Sequence, residues 1–378
     1  MILKNKKHIY AFAFIIILIL LSKLIFTAQV ERHEPDIYLH SRLVLQPWGA
    51  EIYSHILYFV LLEIVSGFSN NLENINSAAE IILIFFTALK FVLLFYIIDK
   101  SSNKELIVKL PWFPGGLAFL LSIIHAIPFD RHHLLLGYFP PNSWHNSTAI
   151  MQVPFALLQF YMALRLLKEY KIKDCIILSI FIIVSNLIKP NFFLCFAPAY
   201  LILLLQAVDW KLNMRFFLSL LPVFLGASIL FAEYLVTYGE SAGIGFGLFE
   251  VWNHLTTIKY WCLLGSFMFP LVYTFLNYNT LFKSRAFLFA ILQTTIGLVI
   301  FFTLYEKGTR MYHANFIWQI IPSSLILFTV LVIHQLGSFS LRKSYIFQIK
   351  NLVSPVFFLL HVFAGIIYMY KIITLDIW

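Results

Sequence analysis

Charge is what this chain has least of. Only 12% of its 378 residues are Asp, Glu, Lys or Arg, while 61% are hydrophobic. Soluble domains carry about 25% charged and about 45–50% apolar residues. So few charges cannot cover a water-facing surface, which excludes a soluble enzyme and a disordered chain. Glycine (15) and proline (14) are sparse and follow no period, so a collagen-like repeat is excluded too. The three cysteines, Cys175, Cys195 and Cys262, each lie in an apolar stretch and form no C-x-x-C pair. They read as small core residues, not as a disulfide scaffold. Acidic residues are the scarcer sign, giving a net charge of +9 and a pI near 9.3. No basic run resembles a nucleic-acid patch, and an excess of Lys and Arg is what cytoplasmic loops of a membrane protein carry.

What is present is long apolar runs. Mean hydropathy is +0.84, and the pattern predicts an all-α, polytopic transmembrane bundle of about eleven spans, one membrane domain over residues 1–378 with no separate soluble domain. The apolar stretch His8–Ala28 is too long for the h-region of a cleaved signal peptide, roughly 7–15 residues, and reads as a signal-anchor helix. Further spans are expected at 78–98, 111–128, 148–168, 174–188, 191–208, 215–237, 258–276, 286–305, 314–335 and 351–371. Segment 51–68 is apolar but holds Glu51, His55 and Glu63, so it reads as a juxtamembrane or re-entrant element. With it left out of the count, the loops on the N-terminal side carry about twice as many Lys and Arg as those opposite, the bias expected of the cytoplasmic side. The N-terminus is then inside and the C-terminus outside. The outside segments 29–77, 129–147, 238–257 and 306–313 are longer and chemically richer, and loops on a rigid scaffold are where function concentrates.

Five clusters on that side could carry chemistry. In Glu31–His40 three carboxylates and two histidines gather at the membrane surface. A carboxylate partly shielded from water there suits a general base. Asp36 is the first candidate, beside Pro35, Tyr38 and His40, and Glu34 is the alternate; the plainer reading is a solvated loop that caps a helix. Asp130, Arg131, His132 and His133 form the second cluster, either a surface ion pair, an acceptor or phosphate site, or metal ligands without a diagnostic spacing. The third, Trp144-His145-Asn146-Ser147-Thr148, runs into a helix whose N-terminus could hold an anion or sugar. Trp144 reads equally as an interfacial belt residue, and Asn146-Ser-Thr148 also matches a glycosylation acceptor. In the fourth, Lys189 stands between two apolar runs beside Pro190. A charge near membrane depth is expensive and usually faces a partner or cavity, with snorkelling as the alternative. The fifth packs Glu306, Lys307, Arg310 and His313 into one short turn, where Arg310 offers a fork matched to phosphate. The glycine-rich segment 238–247 lacks a nucleotide fingerprint and reads as a loop over a site, with Glu240, Glu250 and His254 as weak candidates.

An acidic first loop, a juxtamembrane segment and many spans with functional loops on one side resemble the GT-C superfamily of polytopic membrane glycosyltransferases. The residues that carry the resemblance are Glu34-Pro-Asp36 with Tyr38 and His40, the segment 51–98, Trp144–Thr148, and Glu306–Arg310 with His313-Ala-Asn315. It implies a bacterial cell-membrane enzyme that transfers a sugar, with inversion, from a polyprenyl-phosphate-linked donor to a glycan or lipid acceptor at the outer face. Asp36 would be the general base, with Lys189 and Arg310 stabilising the departing phosphate. His40, Asp130, Arg131, His132, Trp144, His145, Asn146, Glu306 and His313 would contact substrate. No cofactor is required by this reading, a divalent cation could assist, and nucleic acid is not a partner. The rivals are a glycan polymerase or ligase and a transporter or flippase of a lipid-linked anion. The last would place charges through both halves of the membrane, whereas here only Lys23, Glu63, Glu80, Lys90 and Glu233 stand in or near apolar segments.

Overall fold

The computed structural model describes residues 2–32, 35–101, 116–117, 144, 146–238, 243–255, 259–338 and 345–374. Its architecture is all-α and polytopic. Helix α1 (Ile2–Glu31) is followed by α2 (Pro35–Val44), α3 (Ala50–Tyr53), α4 (Ile56–Ser66) and α5 (Leu72–Ser101). After the next described stretch come α6 (Ser147–Lys168), α7 (Ile172–Ile188), α8 (Asn191–Ala207) and α9 (Met214–Tyr238). The chain ends through α10 (Glu250–Leu255), α11 (Lys259–Ser266), α12 (Met268–Leu281), α13 (Arg285–Thr303), α14 (Ile320–Ser338) and α15 (Tyr345–Thr374). Among the described residues the only strands form a small antiparallel pair, β1 (Ile244–Phe246) with β2 (Leu304–Glu306), in which Ile244 faces Glu306 and Phe246 faces Leu304.

Among the described residues, seven helices are long and apolar enough to cross a membrane, or eight if α11 and α12, bent by 62° at their junction, count as one span. The expected eleven differ for identifiable reasons. The stretch 111–128 lies almost wholly outside the described residues. Helices α7 and α8 have 17 residues each, about 25 Å at 1.5 Å per residue, which is short of the roughly 30 Å apolar layer. Pro190 sets that limit, because a residue before proline is driven to extended backbone and Lys189 has φ −165° and ψ 116°. The segment 51–68 forms α3 and α4, and α4 at 11 residues is too short to cross. Gly67 ends it at φ 68°, with the Gly67 and Phe68 amides donating to the carbonyls of Ile64 and Glu63. This is the paired closure that a left-handed glycine permits.

Helix α14 lies at the centre and is buried along most of its length. Backbone groups within the apolar layer must be paired inside the protein, and several polar side chains here reach backbone carbonyls. Ser324 and Thr329 donate to carbonyls of their own helix, Gln319 donates to the Gly297 carbonyl, and Thr294 to that of Ser323. At one end of the bundle Arg215 and Arg285 both donate to the carbonyl of Leu167, supplying the last turn of α6 with the cationic donors a helix C-terminus favours. At the other end Arg32, just past α1, donates to the carbonyls of Ile372 and Ile373 in the last turn of α15. Helices α1 and α15 therefore run the same way along the bundle.

Close approach of α9 depends on one glycine. The Gly226 carbonyl accepts from the Asn186 side chain at 3.0 Å. A Cβ on Gly226 would stand 2.4 Å from the Phe193 ring and 2.6 Å from Ile182, both buried. Small residues at such contacts let two backbones meet. Gly226→Val should cost about 1–3 kcal/mol by overpacking, read as a lowered melting temperature of the purified protein. An unchanged melting temperature would show that α9 is not held this tightly.

Candidate functional site

The end of the bundle where α1, α7, α9 and α13 finish and α6, α8 and α14 begin holds a cavity of about 640 Å³. Asp36, His40, Asn146, Lys189, Glu306, Arg310 and His313 all line it. These residues come from four segments spread over more than 270 positions, brought together by helix ends, the short helix α2 and the end of β2.

Asp36 stands in the first turn of α2, where a carboxylate suits the positive helix end. His40, one turn on, shares its face and meets Ser147 Oγ through Nδ1 at 2.5 Å. Asn146 is the N-cap of α6. Its Oδ1 accepts from the Ala149 amide at 2.8 Å and from Thr148 Oγ1 at 2.9 Å. The oxygen is thereby committed to the helix, so the amide nitrogen points the other way and donates to Asp36 Oδ2 at 2.6 Å. Thr148 Oγ1 in turn accepts from Lys189 Nζ at 3.1 Å. An unbroken hydrogen-bond chain thus runs from the Lys189 ammonium through Thr148 and Asn146 to the Asp36 carboxylate.

Lys189 occupies the break between α7 and α8, outside the spanning helices. Gln152 donates to its carbonyl, and its own amide donates to Ser185. Its ammonium lies 5.3 Å from the centre of the Trp318 ring, a cation–π contact. Burial holds its pKa down to about 8, partly offset by the negative charges of Asp36 and Glu306. His55, between α3 and α4, also lines the cavity. Burial, aided by the charge of Lys189 and the neighbouring His40, keeps its pKa well below the usual imidazole range, and the Ile188 carbonyl accepts a ring N–H. The other nitrogen, Nδ1, is buried without a hydrogen-bond partner among the described residues.

Glu306 is 3% exposed at the end of β2. Oε1 accepts from Tyr238 Oη at 2.5 Å and from Arg310 Nε at 3.1 Å, and Oε2 accepts from Asn315 Nδ2 at 2.5 Å. The Asn315 carbonyl accepts from Asn191 at 2.6 Å. With its lone pairs used in this way, Glu306 is a clamp that aims Arg310. That bond engages Nε, and among the described residues no hydrogen bond occupies the two terminal Nη groups. The guanidinium also rests 5.7 Å from the centre of the Tyr238 ring. The glycine-rich segment serves this clamp too. Gly245 pairs with Tyr305 and lies so close under its ring that a Cβ would stand 2.4 Å from it, which is why the strand pair needs glycine there. Ile244 lines the cavity beside it.

The remaining expected residues fall elsewhere. Trp144 is 1% exposed, packs 5.6 Å from Phe26 and carries the Lys90 ammonium over its ring; it does not line the cavity. Glu250 and His254 sit on α10, also off the cavity lining. Glu34, Asp130, Arg131, His132, His133, His145 and Glu240 lie outside the described residues. Among the described residues no three His, Cys, Asp or Glu side chains gather as a metal site. Sequence reasoning missed Asn191, Trp318, Tyr234 and Tyr238 as cavity residues. It read His55 only as a mark against a full crossing, and Glu233 only as a charge in an apolar run. Their signal was weak, since a lone polar residue in an apolar stretch does not say which face it takes.

The α9 wall is formed by Ala227, Leu230, Phe231 and Tyr234 around Glu233, with Thr237 and Tyr238 nearer the end of the helix. Phe231 and Tyr234 are also 63% and 39% exposed on the outer surface of the bundle, so the cavity reaches the apolar exterior along this helix. No family model matches the chain, and neither the curated proteins nor the solved structures contain a match to it.

Two outcomes follow from this geometry. Asn146→Ala removes the α6 cap and the donor to Asp36, and should lower stability by about 0.5–2 kcal/mol, measurable as a drop in thermal midpoint; an unaltered midpoint would show that the cap carries no weight. Lys189, with its pKa near 8, is charged below that pH and loses its proton above it. Sulfate, whose own charge is constant over this range, should therefore bind the native protein better than Lys189→Gln at pH 7, with the difference fading above about pH 8. A constant difference from pH 7 to 9.5 would contradict the assignment.

Proposed function

We propose that this protein is a membrane glycosyltransferase that moves a sugar from a polyprenyl-phosphate-linked donor to a hydroxyl acceptor at the outer face of the bacterial cell membrane. The observation that carries this reading is the meeting of one carboxylate, Asp36, with two cations, Lys189 and Arg310, in one cavity that opens to the apolar exterior. Each part suits one element of the reaction. Asp36, oriented by the Asn146 amide, takes the proton of the acceptor hydroxyl. The oxygen attacks the anomeric carbon from the side opposite the phosphate, and the bond between that carbon and the phosphate oxygen breaks, giving inversion. The departing lipid phosphate gains negative charge, and Lys189 and Arg310 stabilise it from positions set beforehand by Thr148, Trp318 and Glu306. The polyprenyl chain leaves along the Phe231 and Tyr234 side, where it stays in apolar surroundings. GT-C-like organisation, with the site end of the bundle outside, belongs to the same proposal.

Asp36→Asn keeps the size and the neighbours of the side chain and removes its basicity. It should lower sugar transfer by about 10²–10⁴-fold, followed as release of polyprenyl phosphate from lipid-linked sugars by the full chain in nanodiscs, with the melting temperature close to native. Transfer at the native rate in that variant would refute the role of Asp36.

A further inference from the structure

The cavity is lined by the acids Asp36, Glu233 and Glu306 and the bases Lys189 and Arg310, with His40, His55 and His313 beside them. Asp36 is linked to Lys189 through Asn146 and Thr148, and Glu306 to Arg310, and Glu233 is the acid left without such a link among the described residues. It stands on α9, a spanning helix, and both its carboxylate oxygens are buried without a hydrogen-bond partner among the described residues. No Lys, Arg or His forms an ion pair with it among the described residues. Ala227, Leu230 and Phe231 on the same cavity wall offer nothing polar, and Tyr234 and Thr237 beside it make no hydrogen bond to it. A carboxylate in such a place is costly until a donor, best a cationic one, meets it. An intramembrane acid that faces a cavity and finds no partner among the described residues points to a partner in the ligand.

We infer that Glu233 is the seat for an ammonium group, so that the cavity takes a ligand joining a phosphate to an amine. The position on α9 fits this. Glu233 precedes Tyr238 by five residues, about 7.5 Å along the helix axis, and Tyr238 is bonded to the Glu306 that aims Arg310. A phosphate at Arg310 and Lys189 and an amine at Glu233 would be separated by a short carbon linker or one sugar ring. An ammonium there neutralises Glu233 and supplies both oxygens with donors. A neutral hydroxyl supplies donors and leaves the charge unmatched. The inference rests on the phosphate placement proposed above and adds the chemical class of what is attached to it: an aminoalkyl lipid headgroup or an amino sugar.

The test is direct binding to the full chain in detergent, by calorimetry, independent of any transfer. Two matched pairs distinguish the sources: short-chain phosphatidylethanolamine against phosphatidylglycerol, and glucosamine 1-phosphate against glucose 1-phosphate. In at least one pair the amine should bind about tenfold tighter or more, and Glu233→Gln should erase that preference while leaving the hydroxyl partner's affinity unchanged. The pair that shows the preference identifies the source. Octylammonium against octanol carries no phosphate and keeps the two readings apart. Amine binding that depends on Glu233 here, with none of the phosphates bound, would uphold the ammonium seat and overturn the phosphate placement. No amine preference in any pair, or one that survives in Glu233→Gln, overturns the inference. Glu233→Gln is close in size and removes only a buried charge, and a melting temperature at or above native confirms that the variant is folded.

Discussion

The site depends on how a helix N-terminus is closed. The first amides of α6 need acceptors, and Asn146 supplies one with Oδ1. That bond decides which way the amide turns, and so places its nitrogen on Asp36. Thr148, in the same first turn, donates to Asn146 and receives from Lys189. One capping requirement therefore fixes the carboxylate and the ammonium relative to each other. Neither group is positioned by its own helix alone. Lys189 sits at a proline-enforced break, and Asp36 opens a ten-residue helix that is too short to be stable by itself.

The same economy appears around Glu306. A carboxylate that is 3% exposed would be a heavy cost without donors, and Tyr238, Arg310 and Asn315 provide them. Because those three come from α9 and from the turn after β2, closing the charge also ties the lipid-facing helix to the cationic turn. Burial and function are coupled here. The groups that satisfy the acid are the ones that hold the guanidinium in the cavity, and the small β1–β2 pair sets the height at which this happens. Glu233 is the contrast, since no described residue donates to it.

Much of this was legible in the sequence. Scarce charge and long apolar runs define a helical membrane protein whatever the packing. Lys189 stood out because charge is expensive near membrane depth, Asp36 as a carboxylate at the membrane surface beside Pro35, Tyr38 and His40, and Arg310 as a guanidinium fork in a short charged turn; the cavity contains all three. The length of α4 follows from the polar residues in 51–68 and from Gly67. Trp144 shows the limit of this reasoning. Its neighbour Asn146 lines the cavity and Thr148 bonds to Lys189, yet Trp144 turns into the core against Phe26 and Lys90, and a rich local motif does not reveal that reversal. Glu306 was legible as a charge and not as a clamp, since its partners lie up to 68 residues away.

Composition and order alone determined the solvent this chain requires, the helices it forms and the breaks between them, because hydropathy, proline geometry and capping are local. Tertiary structure decided which side chains share one cavity, which acid is met by donors and which finds none among the described residues. Those outcomes depend on distances between helices remote in sequence. They depend as well on the direction each side chain takes from its helix, and no local preference encodes either one.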